Sequence, residues 1–159
     1  MSGDPFAILG VEARFDLSRA EIERAYLART AATHPDRTND ENEPAAVLNN
    51  ARELLHDSER RAVALLRLLG GPEPEADKSL PPGFLMTMME AREAMEAELH
   101  TAGREAAVRW RAWAKAQRAE IETRVAAMFR EANPPLAAIR RELNAWRYIE
   151  RLAEQIEPA

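Results

Sequence analysis

Thr33-His34-Pro35-Asp36-Arg37 is a charged, proline-containing break between two segments whose apolar spacing is helical. Before it, Leu17-Ser18-Arg19-Ala20-Glu21-Ile22 has the form of a helix start. Ser18 can cap the amide of Glu21, Glu21 can reach back, and Leu17 can staple onto Ile22. Ile22, Ala25 and Tyr26 fall three and four apart, and Pro35 disfavours helical geometry at His34, so this helix is expected to end at about Thr33. After the break, residues 37 to 44 are polar and read as loop. From Pro44 onward Val47, Ala51, Leu54 and Leu55 predict a helix facing back onto Ile22 and Tyr26. Two helices joined by a short connection form an antiparallel hairpin, with the tripeptide His34-Pro35-Asp36 at its tip.

The hairpin has a short helix on either side. Asp4-Pro5-Phe6-Ala7-Ile8-Leu9-Gly10 places Asp at the N-cap, Pro at N1 and Gly at C′, with Phe6 and Leu9 as anchors. On the other side a helix opens at Asp57-Ser58, carries Ala62, Val63, Leu65, Leu66 and Leu69, and stops at Gly70-Gly71-Pro72. Residues 70–82 hold four of the ten prolines and almost no large apolar side chain, which marks a linker at 72–82 between domains at 1–71 and 83–159. Three helical patterns follow, at 83–99, about 103–130 and 134–157, the last with Asn133 as cap and Pro134 at N1. They predict a small antiparallel three-helix bundle, and the whole chain reads as all-α.

Composition narrows the function. At 159 residues, 46% of them hydrophobic, 31% charged and only 6 glycines, the chain suits a helical protein with a real core. No apolar run reaches the ~18 to 20 residues of a membrane span, and Asp4, Glu12 and Asp16 stand where a signal peptide would be basic and then apolar, so a cytoplasmic protein is expected, with no membrane partner. There is no Cys, hence no thiolate nucleophile and no Cys-ligated zinc or iron-sulfur site. The formal net charge of -5 argues against a general nucleic-acid binder. His34 with Asp36 would be an acid/base pair in an enzyme, but no nucleophile stands at a recognised spacing, and His34, His56 and His100 form no metal-ligand pattern. Neither catalysis nor a metal or other cofactor is expected. Alone, a His-Pro-Asp is an ordinary polar turn; at the tip of a hairpin it is presented for docking.

The ordered set Pro5-Phe6, Leu9-Gly10-Val11, Ala25-Tyr26, His34-Pro35-Asp36-Arg37, Asn49, Ala51, Leu54-Leu55 and Asp57 resembles a J domain, the module that recruits and stimulates DnaK-type heat-shock chaperones. The resemblance implies that His34, Pro35 and Asp36, helped by Arg24 and Arg37, contact the chaperone and stimulate its ATPase. Further along, Arg60-Arg61-Ala62 with Leu65-Leu66, Phe84-Leu85-Met86 through Glu90-Ala91-Arg92-Glu93, and Arg147-Tyr148-Ile149-Glu150-Arg151-Leu152 resemble the HscB family, J-protein co-chaperones of iron-sulfur cluster assembly. That resemblance covers nearly the whole chain. It implies an L-shaped protein whose C-terminal domain binds the cluster scaffold protein through Leu85, Met86, Met89, Glu90, Glu93 and Tyr148 and delivers it to HscA or a DnaK relative.

The residues carry their own argument for a surface there. Phe84, Met88, Ala91, Met95 and Leu99 form one core stripe, and Leu136, Ile139, Leu143, Trp146 and Ala153 form another on the last helix. Leu85, Met86 and Met89 lie off the first stripe beside Glu90 and Glu93, and Tyr148 projects away from the second. An apolar patch with an acidic rim is a partner surface; packing within a wider core is the alternative for a Met-rich helix. Burying three such side chains contributes roughly 5 to 8 kcal/mol gross, against an association cost of about 4 to 15, so rim contacts or a transient complex are implied. Three departures from the J-domain pattern stand out: Arg29 where a core Leu is common, Thr33 where an aromatic is common, and few cations on the helix before the tripeptide. A J protein with another client, or a purely structural adaptor, are the alternative readings.

Overall fold

The computed structural model describes residues 3–32 and 44–156, all helix, turn and irregular chain with no strand among them. Six helices follow in order: α1 Pro5–Leu9, α2 Arg19–Ala32, α3 Ala45–His56, α4 Ser58–Leu68, α5 Phe84–Phe129 and α6 Leu136–Ile156. They divide into two compact units, Met1–Gly70 and Gly71–Ala159. Thr33, His34, Pro35, Asp36 and Arg37 lie outside the described residues.

In the first unit local chemistry sets the helix ends. The Asp4 carboxylate accepts from the Phe6 amide at 2.9 Å, Pro5 is the first helical residue, and Gly10 closes α1 in the left-handed region at φ 74°. At the start of α2 the box is reciprocal: the Glu21 amide donates to Ser18 Oγ at 3.1 Å, and the Ser18 amide donates to Glu21 Oε2 at 2.8 Å. Asp57 does the same for α4, accepting from the Arg60 amide at 2.9 Å. α3 is central, packed on α1 and on α2. Its buried side chains are Leu48, Ala51 and Leu55, closing on Phe6, Leu9, Phe15, Leu17 and Ile22 of the same unit.

The core register of α3 therefore differs from expectation. Leu48, three before Ala51 and seven before Leu55, takes the fully buried place, and Val47 and Leu54 are half-buried at its edges. Leu69 is also exposed rather than core, because α4 ends at Leu68 and the chain turns at Gly70, whose φ is 84°.

Two arginines hold this unit together from a distance. Arg61 is buried, lies over the Phe15 ring at 5.1 Å, donates Nε to the Phe15 carbonyl at 2.8 Å and donates Nη1 to the Leu55 carbonyl. Arg29 reaches α1, donating to the Ala7 carbonyl at 3.5 Å with its guanidinium against Gly10. The position where a Leu is common in J domains thus holds a cation that gives the Ala7 carbonyl a second donor, beside the Gly10 amide at 3.1 Å. A Cβ on Gly10 would stand 2.7 Å from Arg29 Nη2, at a φ that L side chains avoid. Gly10→Ala is expected to destabilise the first unit by about 1 to 2 kcal/mol, read as a lower urea midpoint with unchanged slope.

In the second unit the long α5 is two helices broken at Gly103, whose φ of 46° and ψ of −111° are not helical. Beyond the break the chain returns along itself, since Glu98 on the first arm accepts from Trp110 Nε1 of the second at 2.8 Å. α6 runs back along that second arm. Arg124 grips the buried Glu142 with two bonds of 3.1 Å, and Arg118 pairs with Glu150, so contacts earlier on one helix meet later ones on the other. Ala106, Ala107, Ala114 and Ala126 keep the second arm thin, and Trp146, only 1% exposed, fills the space with Met88, Met95, Ile121, Val125 and Ile149 of the same core.

α6 begins at Leu136, later than expected, with the Ile139 amide bonded to the Pro135 carbonyl at 2.9 Å. Asn133 and Pro134 fall outside the helix because a residue before proline is pushed to extended geometry, which excludes Pro134. Residues 71–83 belong to the second unit and are hydrogen-bonded to α6, a connection described below.

Candidate functional site

Two surfaces follow from the two units. In the first, α2 and α3 run antiparallel and lead into and out of the segment that carries the tripeptide. Beside its apolar contacts, the pair is linked by a small polar cluster on a shared face. Glu23 Oε1 accepts from Arg52 Nε at 2.8 Å and lies 2.6 Å from His56 Nε2, while the Arg52 guanidinium covers the Tyr26 ring at 4.7 Å. The Arg52 guanidinium, and after it the His56 ring, hold the Glu23 carboxyl below its ordinary value of 4.5. Because the folded value is depressed, the stabilisation is complete above about pH 4.5 and is lost as pH falls through the lower folded value. Wild type is therefore expected to lose more stability than Glu23→Gln between about pH 5 and 3, measured as the urea midpoint at each pH.

The cationic face of α2 is thin. Arg24 is exposed on it, but Arg29 is turned to α1, and Glu21 is engaged by Ser18 and Arg14. Leu27 stands exposed beside Arg24 on the same helix. Arg37 is outside the described residues.

In the second unit Met88 and Met95 are buried, as their stripe requires, with Phe84, Ala91 and Leu99 half-buried at its edges. Leu85, Met86 and Met89 point outward, with exposures of 48%, 67% and 61%. They are contiguous on the helix surface, and Glu90 and Glu93 continue the same exposed face by one and two turns. Tyr148, on α6, is half-buried and sets its ring edge-on against Phe84 at 5.8 Å and 87°. It thus supports the residue next to Leu85 instead of standing apart from the arm.

The patch also has a second side. Lys78, Leu80, Pro81 and Pro82 line a groove together with Leu85, Met86 and Met89. Those wall residues were legible only as a proline-rich linker; the one signal for them was Leu80-Pro81-Pro82, an apolar run inside an otherwise polar stretch. Apolar walls with one cation and two carboxylates outside suit a protein segment better than a reacting small molecule. Among the described residues no group of His, Asp and Glu is disposed to hold a metal ion, and no helix is long and apolar enough to cross a membrane.

Comparison with known proteins agrees with this division. Residues 4–63 match the DnaJ domain family, and residues 80–157 match the HSCB C-terminal oligomerisation domain. A co-chaperone protein HscB homolog of Bordetella petrii is 30% identical over 98% of this chain and 95% of its own length. Two solved structures share the fold: chaperone HscB from Vibrio cholerae, with a TM-score of 0.72 and 24% identity over 97% of this chain and 95% of that one, and human co-chaperone protein HscB, with 0.75 and 20% over 98% and 81%. A J domain followed by the HscB C-terminal domain, found along almost the full length of an HscB relative, places this chain in the HscB family of J-domain co-chaperones.

Proposed function

We propose that the chain couples a DnaK/HscA-type chaperone to an iron-sulfur cluster scaffold protein and promotes cluster transfer without being an enzyme itself. In this reading the first unit presents His34, Pro35 and Asp36, with Arg24 and Arg37, to the chaperone and stimulates its ATP hydrolysis. The second unit holds the scaffold on Leu85, Met86 and Met89, with Glu90 and Glu93 at the rim and Tyr148 buttressing the arm through Phe84. The cluster is the scaffold's cargo, and both partners meet the chain in the cytoplasm.

The observation that carries the scaffold half is the exposure of three large apolar side chains side by side on a helix whose other face is buried. The chaperone half rests on the tripeptide and on the match of residues 4–63 to the DnaJ domain. The physical logic is tethering. A scaffold held by one unit and a chaperone engaged by the other meet at high effective concentration, so two weak contacts give efficient delivery. A transient scaffold contact serves this purpose, since the complex must release what it carries.

The test is a calorimetric titration of the purified scaffold into wild type and into the triple variant Leu85→Ala/Met86→Ala/Met89→Ala. Wild-type affinity in the triple variant would remove the scaffold half. Chaperone ATPase measured with wild type and His34→Gln tests the other half independently.

A further inference from the structure

We propose that Asn144 and Arg140 are positioning residues for the scaffold site, holding Leu80-Pro81-Pro82 as a fixed second wall opposite Leu85, Met86 and Met89. This inference rests on the scaffold reading above and extends it to residues far away in sequence.

The Asn144 side-chain amide donates to the Asp77 carbonyl and to the Ser79 carbonyl, each at 2.9 Å, so both of its hydrogens are used. Its oxygen accepts from Arg140 Nε at 3.2 Å, and Arg140 Nη1 donates to the Pro72 carbonyl at 3.4 Å. Arg140 is itself buried. Asp77 tightens the same turn, its Oδ1 accepting from the Ser79 amide at 3.0 Å and from Ser79 Oγ at 2.5 Å. The stretch that composition marks as a linker is therefore attached to α6 at Pro72, Asp77 and Ser79.

From Ser79 only four residues reach Phe84, where α5 begins, and two of them are prolines with fixed φ. The Phe84 amide also bonds back to the Pro81 carbonyl at 3.0 Å. With one end pinned by Asn144 and the other continuous with α5, the wall is set before any partner arrives. Setting it beforehand spares the complex the ordering cost of a loose segment. Only an amide serves here: a carboxylate would set oxygens against two carbonyls, and an aliphatic side chain would leave them unpaired.

The occupant is the scaffold protein, through an apolar segment seated between Leu80-Pro82 and Met86-Met89. Charge complements it, with an acidic group for Lys78 and a basic one for Glu90 and Glu93. Scaffold titration against the full chain tests this, with wild type, Asn144→Ala, Leu80→Ala, their double variant and the Leu85/Met86/Met89 triple variant. Asn144→Ala is expected to weaken binding about tenfold, and the double variant to be no weaker than Asn144→Ala alone, because both act through one wall. Hydrogen exchange at the bonded amides of Ala76, Asp77 and Ser79 should quicken in Asn144→Ala, while chaperone stimulation without scaffold is unchanged. Leu80→Asp, which leaves the pin intact, should weaken binding by itself. Wild-type affinity in Asn144→Ala or Leu80→Asp, or strictly additive effects in the double variant, overturns the wall; if the triple variant still binds weakly, the scaffold reading survives. Wild-type affinity in the triple variant overturns both.

Discussion

Alanine at Leu85, Met86 and Met89 together is expected to weaken scaffold binding by about 30- to 700-fold, leaving the fold and the chaperone stimulation measured without scaffold intact. Full burial of each side chain is worth ~1.5 to 3 kcal/mol. The three hide only about a third to a half of their surface in the free protein, and alanine keeps the Cβ, so the apolar gain lost on truncation is ~2 to 4 kcal/mol in total, which is the stated ratio. That gain does not exceed the low end of the association cost of about 4 to 15 kcal/mol, so the groove wall and the carboxylates of Glu90 and Glu93 must contribute the rest. Because none of the three residues belongs to the core, thermal unfolding should move by less than a few degrees. A large drop in the melting temperature would mean that they support the bundle, and the binding change would then carry no meaning for the site.

His34→Gln carries the other large effect. It should reduce stimulation of the chaperone's ATPase by about tenfold or more, the scale of one lost hydrogen bond to a charged group. Scaffold affinity should stay at the wild-type value, because His34 belongs to the first compact unit and the groove to the second. The measurement is single-turnover ATP hydrolysis by the chaperone at saturating co-chaperone, and stimulation equal to wild type would sink the J-domain role. In the proposed reading, the few cations on α2 leave the tripeptide to carry more of this contact than long-range attraction does. Arg29 is turned to the Ala7 carbonyl on α1, and Arg52 is paired with Glu23 at 2.8 Å, so it adds no net charge beside α2.

What the sequence made legible was local. The caps at Asp4, Ser18 and Asp57, the box between Ser18 and Glu21 and the left-handed Gly10 each depend on neighbours within a few residues, and all are read directly from spacing. The same holds for the buried Met88 and Met95 and for the outward Leu85, Met86 and Met89, which sit on adjoining faces of one helical wheel. Long-range bonds left no such trace. Arg29 looked like a gap in a core until it met α1, Arg61 pins Phe15 across the unit, and Asn144 lies on the last helix while the carbonyls it holds are those of Asp77 and Ser79. Nothing in a polar, proline-rich stretch announces which distant amide will hold it. The α6 start was missed for a different reason: Pro134 alone favours N1, but Pro135 after it removes helical geometry from Pro134.

In the proposed reading one chain serves two partners, which is tested most directly by steady-state ATP hydrolysis of the matching DnaK/HscA-type chaperone with the co-chaperone alone, the scaffold alone and both together. Coupled delivery predicts that both together exceed the sum of the separate stimulations, that His34→Gln cuts the co-chaperone's share of the response about tenfold or more, and that the Leu85/Met86/Met89 triple variant loses the excess over that sum. Purely additive rates, unchanged by the triple variant, would contradict it.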